Sequence, residues 1–188
     1  GCAPALELLL DRGLRFSVEP WRSRPGKEGE YDNVHEAAWA GAGDNLRVLL
    51  ERGMADAKSL SNPHTGWPDN VSLLYWVAAS GDGQGEDSAG LAQLLLDHGA
   101  DPEVRFKGNG ERGNTALQEA VAPGWNDKVT QSKLSTAKTL IENGACYDVF
   151  SASGLDDVDR LKVLARESPG ITNATGEADT TPLHWAAR

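Results

Sequence analysis

Cysteine is nearly absent from this chain. Cys2 and Cys146 are the only two, which excludes a disulfide framework or a four-thiolate metal set and fits a reducing compartment such as the cytoplasm. Long apolar runs are missing as well. Leucine runs stop at three residues, as in Leu8-Leu9-Leu10, far short of the roughly 20 that cross a bilayer, so no membrane partner is expected. Excess positive charge is also lacking. With 18 Lys and Arg against 28 Asp and Glu the net charge is −10, and the body as a whole disfavours a nucleic-acid backbone. No G-x-S-x-G, P-loop or dinucleotide fingerprint occurs, so neither an enzyme nor a cofactor is expected. The acidic run Asp82 to Asp87 fails as a calcium loop, because Asp87 stands where a glycine is required and Gln93 where a glutamate is.

What is present is a recurring leucine-rich segment closed by glycine. It reads Leu6-Glu7-Leu8-Leu9-Leu10-Asp11-Arg12-Gly13, then Leu46-Arg47-Val48-Leu49-Leu50-Glu51-Arg52-Gly53. It returns as Ala92 to Gly99 and as Ala137 to Gly144. Apolar side chains at i, i+3 and i+4 predict a helix with one buried face. The closing glycine can take the left-handed conformation that ends a helix. A fifth, weaker copy, Asp157 to Leu164, has Ser168 in place of the glycine.

Upstream of each lies a shorter segment of another kind. Val34-His35-Glu36-Ala37-Ala38-Trp39-Ala40-Gly41 is followed by Leu74-Tyr75-Trp76-Val77-Ala78-Ala79-Ser80-Gly81, by Thr115 to Gly124 and by Val149 to Ser153. The chain closes on Thr181-Pro182-Leu183-His184-Trp185-Ala186-Ala187-Arg188. There Thr181 is expected to cap a helix through its hydroxyl, with Pro182 at the first helical position. Leu183, Ala186 and Ala187 share one face.

These residues resemble the ankyrin repeat, whose first helix opens on T-P-L-H-x-A. The first-helix anchors Val34, Leu74, Leu117, Val149 and Leu183 are 40, 43, 32 and 34 residues apart, against a family period of about 33. The first two intervals therefore carry insertions. The resemblance implies an all-α solenoid of stacked helix–turn–helix repeats with long inter-repeat loops, forming a single domain over 1–188. It divides into a partial repeat at 1–20, repeats at about 30–56, 70–102, 113–147 and 148–173, and a partial repeat at 178–188. Half-units at both ends lead us to expect a segment of a longer array. Insertions such as Leu14 to Asn33, Met54 to Ser72 and Asp101 to Arg112 are expected to replace the family's short hairpin loops.

The function the resemblance implies is binding of another protein by a monomer, through first-helix faces and inter-repeat loops and without catalysis. The alternative is a regulatory or targeting segment of a larger enzyme whose catalytic domain lies outside the chain. The family's variable positions fall at Trp39, Ser80 and Asn114. From the loops, Trp21, Arg22, Trp67 and Phe106 join them, because interface energy concentrates in aromatic residues and arginine. Arg15, Arg22, Arg24 and Lys27 cluster around Trp21, and Arg105, Lys107 and Arg112 around Phe106, which points to an acidic segment as the partner. Trp76 and Trp185 are expected to pack rather than bind. His35 and His184 occupy the T-P-L-H position and are expected to brace their loops. His64, near Asp69, is the only histidine placed for chemistry. Cys2 and Cys146 are expected to be small packing residues.

Overall fold

The structure is a computed structural model and describes residues 3–13, 33–61, 70–80, 87–106, 113–122 and 129–187. Among the described residues there are ten α-helices: α1 (Ala3–Asp11), α2 (Asn33–Trp39), α3 (Gly43–Glu51), α4 (Leu73–Ala79), α5 (Ser88–Asp97), α6 (Ala116–Val121), α7 (Gln131–Glu142), α8 (Val149–Gly154), α9 (Val158–Glu167) and α10 (Pro182–Ala186). None exceeds 12 residues, and helices this short do not persist alone in water. Their stability comes from neighbours.

The packing is one-dimensional. First helices meet first helices in succession, α2 on α4, α4 on α6, α6 on α8 and α8 on α10. Each also packs on the second helix of its own pair: α2 on α3, α4 on α5, α6 on α7, α8 on α9. Among second helices, α1 meets α3 and α5 meets α7. One continuous core results, with Leu46 and Leu49 from α3, Leu74 and Val77 from α4, Leu95 from α5, Leu117 from α6 and Leu140 from α7 all buried. This is how repeat units that cannot bury an apolar face alone share one.

Local chemistry agrees with that plan. Ser72, Asp87, Thr115, Thr130, Asp148 and Asp157 cap α4 to α9 in turn, each side chain accepting the backbone N–H three residues on. Gly13, Gly53, Gly99 and Gly144 close α1, α3, α5 and α7 at φ of +83°, +64°, +84° and +88°, the left-handed stop anticipated from the sequence. Two of the long loops retain a hairpin base instead of replacing it. Leu60 pairs with Ser72 and Phe106 with Asn114 as isolated antiparallel bridges, so the two ends of each of these insertions are held together.

Thr181 and His184 form a reciprocal capping box at the start of α10, in which His184 Nδ1 accepts the Thr181 N–H at 3.0 Å and lies 2.8 Å from the Thr181 hydroxyl. His184 thus braces the loop. Two local expectations need correction. Leu183, Ala186 and Ala187 do share a face, but it is exposed, Leu183 to 75%. The buried residues of α10 are Pro182 and Trp185. Cys146 is exposed rather than packed, and its thiol is pushed up by partial burial and by Glu103 and Asp148, which leaves it a poor nucleophile at neutral pH. Cys2 lies outside the described residues.

The cap of α9 makes a pH-dependent contribution. Asp157 accepts the Arg160 N–H and the Tyr147 hydroxyl, both at 2.9 Å. These hydrogen bonds hold its carboxyl below the ordinary aspartate range. The unfolded state therefore binds the proton more readily, so the stabilisation is complete above that range and fades as pH falls through the lower folded-state pKa. Asp157→Ala is expected to cost about 1 kcal/mol at neutral pH. Urea unfolding curves of variant and wild type should converge toward pH 2. A gap as wide at pH 2 as at pH 7 would contradict this account.

Candidate protein-interaction surface

The first-helix side of the stack carries a row of aromatic rings. Trp39, at the end of α2, meets Trp76 of α4 edge-on with centroids 5.4 Å apart. Trp76 meets Tyr75 at 6.4 Å, and Tyr75 meets Phe106 at 5.0 Å, again edge to face. These are favoured aromatic geometries, each contributing about 0.5–1.5 kcal/mol beyond burial. The row crosses from α2 over α4 to the hairpin base before α6. Trp76 and Tyr75 are buried, Phe106 is half-buried, and Trp39 is 41% exposed. Trp39 is thus the solvent-facing end of a rigid series.

A second row runs along the position that histidine occupies in His35 and His184. At the three intermediate helices the residue differs, and each substitute reaches the following unit. The Tyr75 hydroxyl donates to Glu119 Oε2 of α6 at 2.7 Å. Gln118 accepts the Thr115 N–H through Oε1 at 3.0 Å, the service His184 performs for Thr181, and its Nε2 donates to Asp148 Oδ2, the cap of α8, at 2.6 Å. Phe150 of α8 lies against Trp185 of α10 with centroids 5.5 Å apart. Departures from the T-P-L-H pattern therefore become ties between units.

Acidic groups collect beside the aromatic row. Burial holds the Tyr75 phenol above its ordinary range, with the charges of Glu119 and then Glu177 adding to the effect. Burial also raises the Glu177 carboxyl, and the Glu119 charge raises it further. Glu177 sits in the turn Glu177–Asp179 that precedes α10. Only residues 145–148 separate the Gly144 stop from α8, so no long hairpin occupies the intervening unit.

The seven expected site residues are distributed as follows. Trp39 and Phe106 are the two ends of the aromatic row. Asn114 joins Phe106 through paired backbone hydrogen bonds of 2.9 and 3.0 Å. Ser80 ends α4, half-buried, with its hydroxyl donating to Val77 O at 3.1 Å. Trp21, Arg22 and Trp67 lie outside the described residues, as do Arg15, Arg24, Lys27, Lys107, Arg112, His64 and Asp69. Arg105 is engaged by its own loop, donating to Gly113 O at 2.9 Å and Gln118 Oε1 at 3.3 Å. Trp76 and Trp185 pack, as expected. Sequence reasoning missed Tyr75, Glu119 and Glu177. For Tyr75 and Glu119 a signal existed, since they hold adjacent positions of the same motif in successive units. For Glu177 there was none.

Among the described residues no group of three or more His, Cys, Asp or Glu is placed to hold a metal ion, and no helix is long and apolar enough to cross a membrane.

No protein-family model and no curated protein sequence matches the chain. Solved structures do. The complex of the predatory endopeptidase Bd0816 from Bdellovibrio bacteriovorus with immunity protein Bd3460 contains a chain similar to this one at a TM-score of 0.53 and 20% identity, over 84% of this chain and 75% of that one. The ankyrin repeat domain of Bcl-3, a member of the IkappaB protein family, is similar at a TM-score of 0.50 and 20% identity, over 96% of this chain. The match spans 57% of the Bcl-3 chain. Helix pairs in a row, glycine stops, hairpin bases and this likeness agree: the chain has the ankyrin-repeat fold, an all-α solenoid of stacked helix–turn–helix units.

Proposed function

We propose that the chain is a protein-binding module without catalysis of its own. It takes a segment of another protein along the first-helix side of α2, α4 and α6 and the adjoining loops. The repeat boundaries given above, a monomeric state and the contribution of Trp21, Arg22, Trp67, Ser80 and Asn114 belong to the same reading. The observation that carries it is Trp39. A large aromatic side chain, 41% exposed, is held in place by a row of buried rings instead of being folded away. Such pre-ordered aromatics lose little entropy on binding and concentrate interface energy. The Bd0816 structure is itself a complex of two proteins, which is in keeping with this use.

Affinity capture with the chain, followed by titration of the recovered protein against wild type and Trp39→Ala, tests the reading. Removing a hot-spot tryptophan costs about 2 kcal/mol or more, so the variant should bind at least roughly 30-fold more weakly while remaining folded, its stability lowered only by the about 0.5–1.5 kcal/mol of the lost ring contact with Trp76. Equal affinity of the two proteins would overturn it.

A further inference from the structure

The start of α7 carries a charge that the fold does not use. Lys133 is the third residue of this 12-residue helix. It lies on the core side with Thr136, Ala137 and Leu140, the spacing of three and four that buries one helix face, and it is only 8% exposed. Its backbone N–H goes to the Thr130 hydroxyl at 3.4 Å. Its ammonium has no hydrogen bond or ion pair among the described residues, where the ion pairs join Arg52 to Asp11, Lys138 to Glu142 and Lys162 to Asp159. Nor does folding call for a cation at this position. Eleven residues before the closing glycines Gly53, Gly99 and Gly144 stand Ala42, Ser88 and Lys133. The two other units pack there with a small neutral side chain.

Three effects make the placement unfavourable as it stands. A charge withdrawn from water without a counter-charge is destabilising. The helix dipole adds to this, because its N-terminal end is positive and repels a cation. The first backbone N–H groups of a helix also have no partner within it. Here the Thr130 hydroxyl serves Lys133, which leaves those of Gln131 and Ser132 unpaired among the described residues. A long helical side chain leans toward the N-terminus of its own helix. The Lys133 stem therefore runs back along the first turn, toward the same two N–H groups. One anion at this point answers all three effects.

We propose that the first turn of α7 binds an oxyanion, held by the Lys133 ammonium and the Gln131 and Ser132 N–H groups. Ammonium and amide N–H present donors only, so the site takes an acceptor of negative charge. A carboxylate of an acidic protein segment and a free phosphate are the two sources of that chemistry. The site goes beyond the binding reading above and does not depend on Trp39.

Amide chemical shifts of the whole chain test the proposal in titrations with sodium phosphate and, separately, sodium acetate, with ionic strength held constant by sodium chloride. The Gln131 and Ser132 amides should move along a saturating curve. Lys133→Met keeps the buried stem and removes the charge, and it should bind at least about tenfold more weakly. Tighter binding of acetate identifies a carboxylate as the occupant, and tighter binding of phosphate identifies phosphate. The spectrum itself reports whether the variant is folded. Where methionine unsettles the packing, Lys133→Ser, the residue type that α5 carries there, makes the same comparison. Three results would overturn the proposal: shifts that grow without saturating, equal affinity in a folded variant, or, in the wild-type chain alone, saturating shifts centred on the start of another helix such as α5. Trp39→Ala should leave the titration unchanged, so this site and the binding reading fail separately.

Discussion

Leu117→Ala is expected to destabilise the chain by about 3–5 kcal/mol, the upper part of the range for a buried leucine. Leu117 is fully buried in the first turn of α6, and α6 is packed by α4, α7 and α8. Removing its branched end leaves a cavity walled by three helices, two of them from neighbouring units, and the neighbours cannot close in without breaking register. The total stability of a domain is about 5–15 kcal/mol, so this one change takes a large part of it. In a linear array an interior unit supports both sides, and the loss should reach α4 and α8 before α1 or α10. Urea unfolding followed by far-UV dichroism measures the total, and hydrogen exchange resolves its spread. A loss below about 1 kcal/mol would mean that α6 is not the packed centre of the stack.

Gly154→Ala is the second large effect, expected at about 2–3 kcal/mol. In an ordinary helix the change would gain up to about 1 kcal/mol. Here a Cβ on Gly154 would stand 2.7 Å from Val121 O and 3.2 Å from the Val121 Cβ and Cγ2. The obstacle is backbone, at the point where the end of α8 closes on the end of α6, so it cannot rotate aside. Gly43 gives the contrast. A Cβ there would meet Leu91 Cδ2 at 2.9 Å, a mobile methyl at the contact between α3 and α5, and Gly43→Ala should change stability by less than about 1 kcal/mol. Thermal melts of the two variants compare them directly. Equal melting temperatures would show that α6 and α8 are not held at this distance.

The second helices and their stops were legible because two independent signals coincide there: apolar spacing near 3.6 and a glycine at the left-handed stop. The order of the first helices was legible for a similar reason, a short motif repeated in phase. The ties between units were not. Tyr75, Gln118 and Phe150 read as losses of histidine, because a motif compares each unit with a consensus and not with its neighbour. Their partners Glu119, Asp148 and Trp185 come together only once the helices are stacked. The aromatic row was half visible. Trp39 and Phe106 stood out by type and position, but insertions of unequal length separate them in sequence, and of the rings that connect them Trp76 reads as packing alone and Tyr75 as a replaced histidine. Glu177 was hidden for a different reason, since it lies in a turn that no position of the repeated motif marks. Cys146 was misread because a small residue beside a helix end can face either way.

The central claim is that helix pairs queue in a row, each touching only its neighbours. Proton cross-relaxation between aromatic rings reads this most directly. The account expects contacts between Trp39 and Trp76, between Tyr75 and Phe106, and between Phe150 and Trp185, with none between Trp39 and Trp185. A cross-peak joining Trp39 to Trp185, or absence of the three neighbour contacts in the folded chain, would contradict it.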